Sequence, residues 1–148
     1  MKPKFLLLAI LLSPALASAQ SDDERCPGLP PGGGLRWEVS EGPGFVYCKA
    51  LREADGGQAF AVMLRAESGF RGERALRDGD AVIDGRKARW YRAELSAQPG
   101  ILVRETLLEL GRKRTAHIVV RAYSEAQLAE SRRLAEGLRF GGTAAGGD

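Results

Sequence analysis

The only histidine in the chain, His117, is the side chain best suited to acid–base chemistry near neutral pH. Catalysis also needs a reacting group and an orienting partner within hydrogen-bond reach of such a base. The neighbouring residues (RTAHIVV) supply neither, and no serine stands in a G-x-S-x-G motif. The sequence therefore favours a structural role for His117 and predicts that the protein is not an enzyme.

Two cysteines, Cys26 and Cys48, offer thiol, metal or disulfide chemistry. With a single histidine they are too few ligands for a structural zinc site. A reactive thiol needs a basic partner, and Lys49 beside Cys48 is weak support for one. An even number of cysteines in an exported chain is typical of a disulfide, which stabilises a fold by about 3 kcal/mol in the chain-entropy model. We therefore predict a Cys26–Cys48 disulfide and expect neither a bound metal ion nor a cofactor.

The segment RKARWYR (86–92) interleaves basic and aromatic side chains, a combination enriched at binding surfaces. The alternative is a strand with one buried aromatic residue and arginines whose stems lie along apolar surface. The candidate binding surface consists of Arg86, Lys87, Arg89, Trp90, Tyr91 and Arg92.

Residues 1–19 have the parts of a secretory signal peptide: two lysines, the apolar run FLLLAILL and the small-residue triplet ASA. We place the cleavage after Ala19. The apolar run is much shorter than the roughly 20 residues that span a bilayer, so no membrane span is expected after cleavage. Three charged residues directly before Cys26 argue against acylation of that cysteine. The predicted location is periplasmic or secreted.

Loss of the two signal-peptide lysines lowers the formal net charge from +3 to +1. A nearly neutral mature chain lacks the electrostatic basis for general polyanion binding. Export also argues against nucleic acid as a partner. An envelope or secreted protein, or an anionic cell-wall or glycolipid component, is the expected partner.

Alternating apolar and polar residues between turn signals predict an antiparallel sheet from Leu35 onward. Residues 68–80 break this pattern and predict a loop, with one helical turn near 73–77. After the last strand, SEAQLAESRRLAEGL (124–138) is the one clear helix, and Ser124 with Gln127 fits a capping box. The predicted strands occupy residues 35–40, 45–51, 58–67, 81–85, 86–95, 101–110 and 114–123, and the apolar helix stripe consists of Leu128, Ser131, Leu134, Ala135 and Leu138.

The fold class is therefore α+β: about six to seven antiparallel strands, rich in meanders, with the C-terminal helix packed on one face. We predict a Gly/Pro-rich N-terminal segment over 20–34 tethered by the disulfide, a single domain over 35–140, and a disordered tail over 141–148.

The last two strands permit a prediction of register. Placing Leu108 opposite Ile118 collects their apolar residues on one face, with Arg104 and Thr106 as polar exceptions. Opposite charges then face each other on the second face, which stabilises a sheet by about 0.2 to 1 kcal/mol per pair. The predicted structural ion pairs are Glu105–Arg121 and Glu109–His117.

The order of these elements resembles the PsbP-like α/β domains of small exported bacterial proteins. The shared pattern covers residues 35–140: an early meander, the strands IDGRKARWY, RETLLEL and AHIVVRA, and a terminal helix that ends in LRF. The resemblance implies a fold more than an activity, and a binding or accessory role without catalytic residues. The Cys-Pro-Gly sequence that precedes the first strand is not part of that pattern.

From these observations we expect an exported, non-catalytic binding or accessory module of the bacterial cell envelope. The alternative is a disulfide-stabilised inhibitor of a secreted hydrolase, in which the segment Pro27–Gly34 would plug the enzyme's cleft.

Overall fold

The computed structural model describes residues 25–93 and 98–141. Within them, seven strands form one antiparallel sheet and a single α-helix follows the last strand. Strand dominates, at 53% against 14% helix. The predicted signal peptide and most of the predicted tail lie outside the described residues. The elements are β1 Leu35–Gly42, β2 Phe45–Arg52, β3 Gln58–Arg65, β4 Arg77–Ile83, β5 Arg86–Ala93, β6 Leu102–Gly111, β7 Arg114–Ala122 and α1 Glu125–Glu136.

The sheet consists of two meanders, β1 to β3 and β4 to β7, joined where β3 pairs with β7. Its order is therefore β1-β2-β3-β7-β6-β5-β4. A long connection between β3 and β4 contains a short 3₁₀ helix at Arg74–Leu76, inside the predicted helical turn. The strand bounds agree with the sequence pattern to within two residues except at β4, which begins four residues before the predicted strand, and the predicted end of the fifth strand at 94–95 lies outside the described residues.

One face of the sheet, here the inner face, carries the core. Side chains of successive strand residues point to opposite faces, so the apolar residues of each strand gather on one side. Helix α1 packs on β7, with further contacts to β3 and β4. The fully buried side chains of the inner face include Cys48, Phe60, Val62, Ile83, Trp90, Thr106, Leu108, Ile118 and Val120.

The β6–β7 hairpin has a register two residues away from the expected one. Leu108 lies opposite Ala116 and not opposite Ile118. The predicted pairing of charges is therefore wrong, because Glu105 faces Val119 and Glu109 faces Thr115 instead of Arg121 and His117.

The turn of this hairpin and the irregularity beside it decide the register. Gly111 pairs with Arg114 across a two-residue turn, in which Lys113 adopts a φ of 53°, and a register shift between Glu109 and Gly111 then places Glu109 opposite Thr115. A slip of two residues leaves every side chain on its predicted face, because side chains alternate with period two. The face pattern alone therefore cannot distinguish the two registers.

Helix α1 begins and packs as the sequence predicts. The backbone N–H of Gln127 donates to Ser124 Oγ over 3.1 Å, and Gln127 Oε1 accepts from the Tyr123 N–H over 2.8 Å. The first bond satisfies one of the N–H groups that the first helical turn leaves without partners, and the second ties the Gln127 side chain to the residue before the N-cap. Every residue of the predicted apolar stripe is buried: Leu128, Ser131, Leu134, Ala135 and Leu138.

The segment before β1 is attached to the inner face. Cys26 and Cys48 lie at disulfide distance, with Cα atoms 6.0 Å apart. The Trp37 indole N–H donates to the Pro27 carbonyl over 2.8 Å. Gly28 forms an antiparallel bridge with Arg139, in the stretch that follows α1. These contacts hold the segment between β1 and the end of the helix.

An inner-face cluster of charges joins β4, β6 and α1. Asp78 Oδ2 accepts from Arg104 Nε at 2.5 Å and from Arg132 Nη1 at 3.1 Å. The Arg132 guanidinium also lies over the Trp90 ring, 5.3 Å from its centroid, and the indole N–H donates to Glu136 Oε1 over 2.8 Å. This cluster explains how Arg104 is accommodated on the inner face. The Thr106 hydroxyl is buried there without a hydrogen-bond partner among the described residues.

Among the described residues, no helix combines the length and the apolar character needed to cross a bilayer.

Replacing Asp78, the acceptor that Arg104 and Arg132 share, should show that this cluster contributes more to stability than a surface ion pair does. We expect Asp78→Ala to lower the free energy of unfolding by about 2 to 3 kcal/mol. Two arginines lose their acceptor, and the side chain of one of them, Arg104, is only 11% exposed. Urea unfolding measures the change. The matched control is Asp80→Ala on the same strand, whose ion pair with Arg89 is solvent-exposed and should contribute little. Equal losses in the two variants would contradict the role of Asp78 as a shared, partly buried acceptor.

Candidate functional site

The predicted binding segment forms most of β5, and its side chains divide between the two faces of the sheet. Trp90 lies on the inner face and is fully buried. On the opposite face, here the outer face, Lys87, Arg89 and Tyr91 stand in one row. The other two arginines bind nearby backbone: Arg86 the carbonyl of Asp84 and Arg92 that of Ala75.

A connection that crosses the outer face builds one wall over this row. We call residues 66–73 the strap. The Phe70 ring stacks on His117, with centroids 4.8 Å apart and planes 24° apart. It also meets Tyr91 edge-on at 5.8 Å. The Ser68 hydroxyl accepts from the Phe70 N–H at 3.2 Å, which fixes the turn that aims the ring at the sheet.

Gly72 brings the strap into contact with β5. A Cβ atom at this position would overlap the ring of Tyr91. Only glycine permits this approach of backbone to ring, so Gly72 determines the height of the strap above the sheet.

A groove of about 770 Å³ lies between the strap and strands β4 to β6. It opens beside a short ladder, since β5 pairs with β6 only through Tyr91–Ala93 and Val103–Glu105. Ala88 and Leu107, from the parts of β5 and β6 beyond that ladder, both line it. The other lining residues are Phe70, Gly72, Asp80, Ala81, Val82, Lys87, Arg89 and Tyr91.

The charges in the groove are partly satisfied. Asp80 accepts from Arg89 at 2.6 Å (Nε) and 3.3 Å (Nη2), a two-point contact that neutralises both groups. The hydrogen bond from Arg89 holds the pKa of the Asp80 carboxyl below its ordinary value. Lys87 forms no hydrogen bond or ion pair with any described residue. Opposite it on β4 stands Val82, an apolar side chain that is 64% exposed. The groove therefore presents one unpaired cation beside apolar surface.

His117 lies beneath the strap. Its Nε2 is 3.1 Å from Glu105 Oε1, but the geometry does not satisfy a hydrogen bond, so the contact is one of proximity. Glu105 and not the predicted Glu109 is thus its acidic neighbour. Among the described residues no group of three or more His, Cys, Asp or Glu side chains could hold a metal ion.

The sequence pattern missed the wall of this site. The strap residues Phe70 and Gly72 lie in a segment predicted only as a loop. One available signal was the lone aromatic residue in the polar stretch SGFRG, because an aromatic side chain in a polar loop gains most by packing on the domain.

Comparison of the chain with protein-family models, with curated proteins and with solved structures finds no match.

Substitution of Gly72 should displace the strap. We expect Gly72→Ala to force apart the strap and the Tyr91 ring, at a cost of about 1 to 3 kcal/mol for overpacking. NOE contacts between the Phe70 and His117 rings should weaken or disappear. Gly69→Ala is the matched control, because a Cβ atom there meets nothing within 4 Å. Preserved ring contacts in Gly72→Ala would show that the strap does not depend on this close approach.

The Asp80–Arg89 pair should be visible by titration. We expect the Asp80 carboxyl to titrate below the ordinary aspartate pKa of about 3.9, and its pKa to rise in Arg89→Gln. Because the folded-state pKa is lowered, the pair stabilises the fold above the unfolded pKa, and this contribution is lost as the pH falls through the folded pKa. NMR of the side-chain carboxyl carbons measures both values. Asp55 is the internal control, since the Gly57 N–H lowers its pKa independently of Arg89. An Asp80 pKa that does not change in Arg89→Gln would contradict the pairing.

Proposed function

We propose that this protein is an exported, non-catalytic binding module of the bacterial cell envelope that holds its ligand in the outer-face groove. The groove carries the proposal, because its volume of about 770 Å³ falls within the size of typical small-ligand sites. Such sites combine apolar walls with a few polar groups that orient the ligand, as this one does.

The charges of the groove indicate the chemistry of the ligand. Asp80 and Arg89 neutralise each other, so the unbalanced charge is that of Lys87. An anionic group of the ligand would pair with this ammonium. Val82 and the Tyr91 ring provide apolar surface within the same groove for the rest of the ligand. We therefore propose an amphipathic anion, chemistry found in envelope lipids and in acylated or aromatic wall components.

Export is supported by two features of the chain. Residues 1–19 have the pattern of a secretory signal peptide. Cys26 and Cys48 lie at disulfide distance, and disulfides persist mainly in oxidising compartments outside the cytosol. The PsbP-like resemblance, which stays a prediction, agrees with an accessory role in such a compartment.

The alternative role as a hydrolase inhibitor receives less support. An inhibitory loop would need to project from the domain and enter an enzyme cleft. In the segment Pro27–Gly34, Pro27 is buried and Gly28 is bonded to Arg139, so the segment packs against its own domain. Four of its residues are exposed, and three of these are glycines, which have no side chain to insert into a cleft: Gly28, Pro31, Gly32 and Gly34.

Binding can be tested with two probes that share an alkyl chain. We expect octyl phosphate, below its micelle concentration, to shift the amide resonances of Val82, Lys87 and Tyr91 in a saturable way. Octyl glucoside has the same chain and an uncharged head group, and it should bind much more weakly. Lys87→Gln should weaken octyl phosphate binding by about tenfold or more, because it removes a charge-assisted hydrogen bond.

Arg133→Gln is the control, since it removes one exposed positive charge from the helix on the other side of the sheet. It should leave binding unchanged. Shifts confined to residues outside the groove, or equal binding by the Lys87 and Arg133 variants, would exclude the groove as the site.

A further inference from the structure

The two edges of the sheet differ in how they are protected. On the β4 edge, Gly79 has a φ of 102° and the ladder to β5 shifts register between Arg77 and Asp80. Asp78 of the same strand points a charge inward. Irregular backbone and inward charges are devices that prevent another strand from adding to an edge.

The β1 edge carries no such device. Its eight residues pair with β2 without a register shift, and the strand contains no proline and no interior glycine. Among the described residues, none pairs with the other side of β1. A long, regular and unpaired edge is a template for a further strand.

The hairpin turn determines which backbone groups face outward. Gly42 and Phe45 flank the two-residue turn between β1 and β2, so their backbone groups bond to each other. In an antiparallel ladder alternate residues bond to the same neighbour. Counting back from the turn, Leu35, Trp37 and Val39 direct their N–H and C=O groups away from β2.

We infer that a second copy of this chain pairs with β1, antiparallel, around a two-fold axis at Trp37. In this arrangement Arg36 lies opposite Glu38 of the second copy, and Glu38 lies opposite its Arg36. Glu38 already pairs with Lys49 on β2, so the outer face would carry a row of alternating charges across the junction. Each contact occurs twice, as two-fold symmetry requires.

Charge selects this register over its neighbours. An axis at Arg36 would place that arginine against its own copy, and an axis at Glu38 would do the same with the carboxylates. Like charges directly opposite each other destabilise a sheet. An axis at Val39 would place the indole of Trp37 opposite the charged Glu41.

The apolar side chains agree with the same register. Leu35 and Val39 are only half-buried within one chain, although both point to the inner face. With the axis at Trp37 they lie opposite each other across the junction, twice. Pairing would thus cover apolar surface that one chain alone leaves partly exposed.

Charge reversal tests this register. We expect the mature chain to dimerise reversibly in sedimentation equilibrium. Arg36→Glu and Glu38→Arg should each weaken the dimer by about tenfold, because each replaces two attractive cross-strand pairs by repulsive ones. The combined variant R36E/E38R restores opposite charges in this register and should bring the dissociation constant back toward that of the wild type.

Amide hydrogen exchange provides the second measurement. The amides of Leu35, Trp37 and Val39 should gain protection as the protein concentration rises. Urea unfolding of each variant shows whether the domain is intact. Where the wild type binds octyl phosphate, the variants should bind it equally well, because neither Arg36 nor Glu38 lies at the groove. A wild-type monomer at every accessible concentration overturns the inference, as does a combined variant no stronger than the single ones. Protection of these amides in a monomer also overturns it and would show that the edge is covered from within the chain.

Discussion

One helix and the tethered N-terminal segment must together cover the inner face of a seven-stranded sheet. Helix α1 has 12 residues and is therefore about 18 Å long, whereas seven strands span about 29 Å. The helix packs on β3, β7 and β4. The inner face near β1 is covered instead by the residues that Cys26 and Pro27 bring over Trp37. The residues held by the Cys26–Cys48 contact therefore cover the part of the inner face that a second helix would cover in a larger domain.

The same helix explains the shape of the sheet and the position of the groove. Strands β3 and β4 stand four places apart in the sheet, yet both contact α1, so the sheet curls around the helix. The ladder between β5 and β6 is short, and the groove opens on the outer face beside its end. Behind it, Trp90 and Arg132 fill the inner side of the bend.

The sequence predicted the helix and strands better than it predicted how they pair and contact one another. The capping box at Ser124 is a local signal, and the predicted helix begins there. The register of β6 against β7 depends on the geometry of the turn, which the period-two pattern does not encode. In the candidate site, alternate residues of β5 point to opposite faces, so Trp90 is separated from Lys87 and Tyr91. The mixture of basic and aromatic residues in the segment did not indicate this separation. The aromatic residue in SGFRG indicates that the strap packs on the domain, but its position was not predictable, because that position depends on Gly72 meeting a ring 19 residues away in the chain.

The groove and the open edge lie at opposite ends of the sheet, and this separation constrains what a dimer could do. The groove is built on β4, β5 and the strap, whereas the unpaired edge belongs to β1. Pairing through β1 would extend the sheet and leave the two grooves at its far ends, both accessible. Two ligand groups on one surface could then be held together, and the second would bind at the high effective concentration set by the first. A rigid sheet fixes the distance between the grooves. Such a dimer would therefore favour arrays of ligand over isolated molecules, as expected if the proposed ligand is repeated along a polymer or a membrane surface.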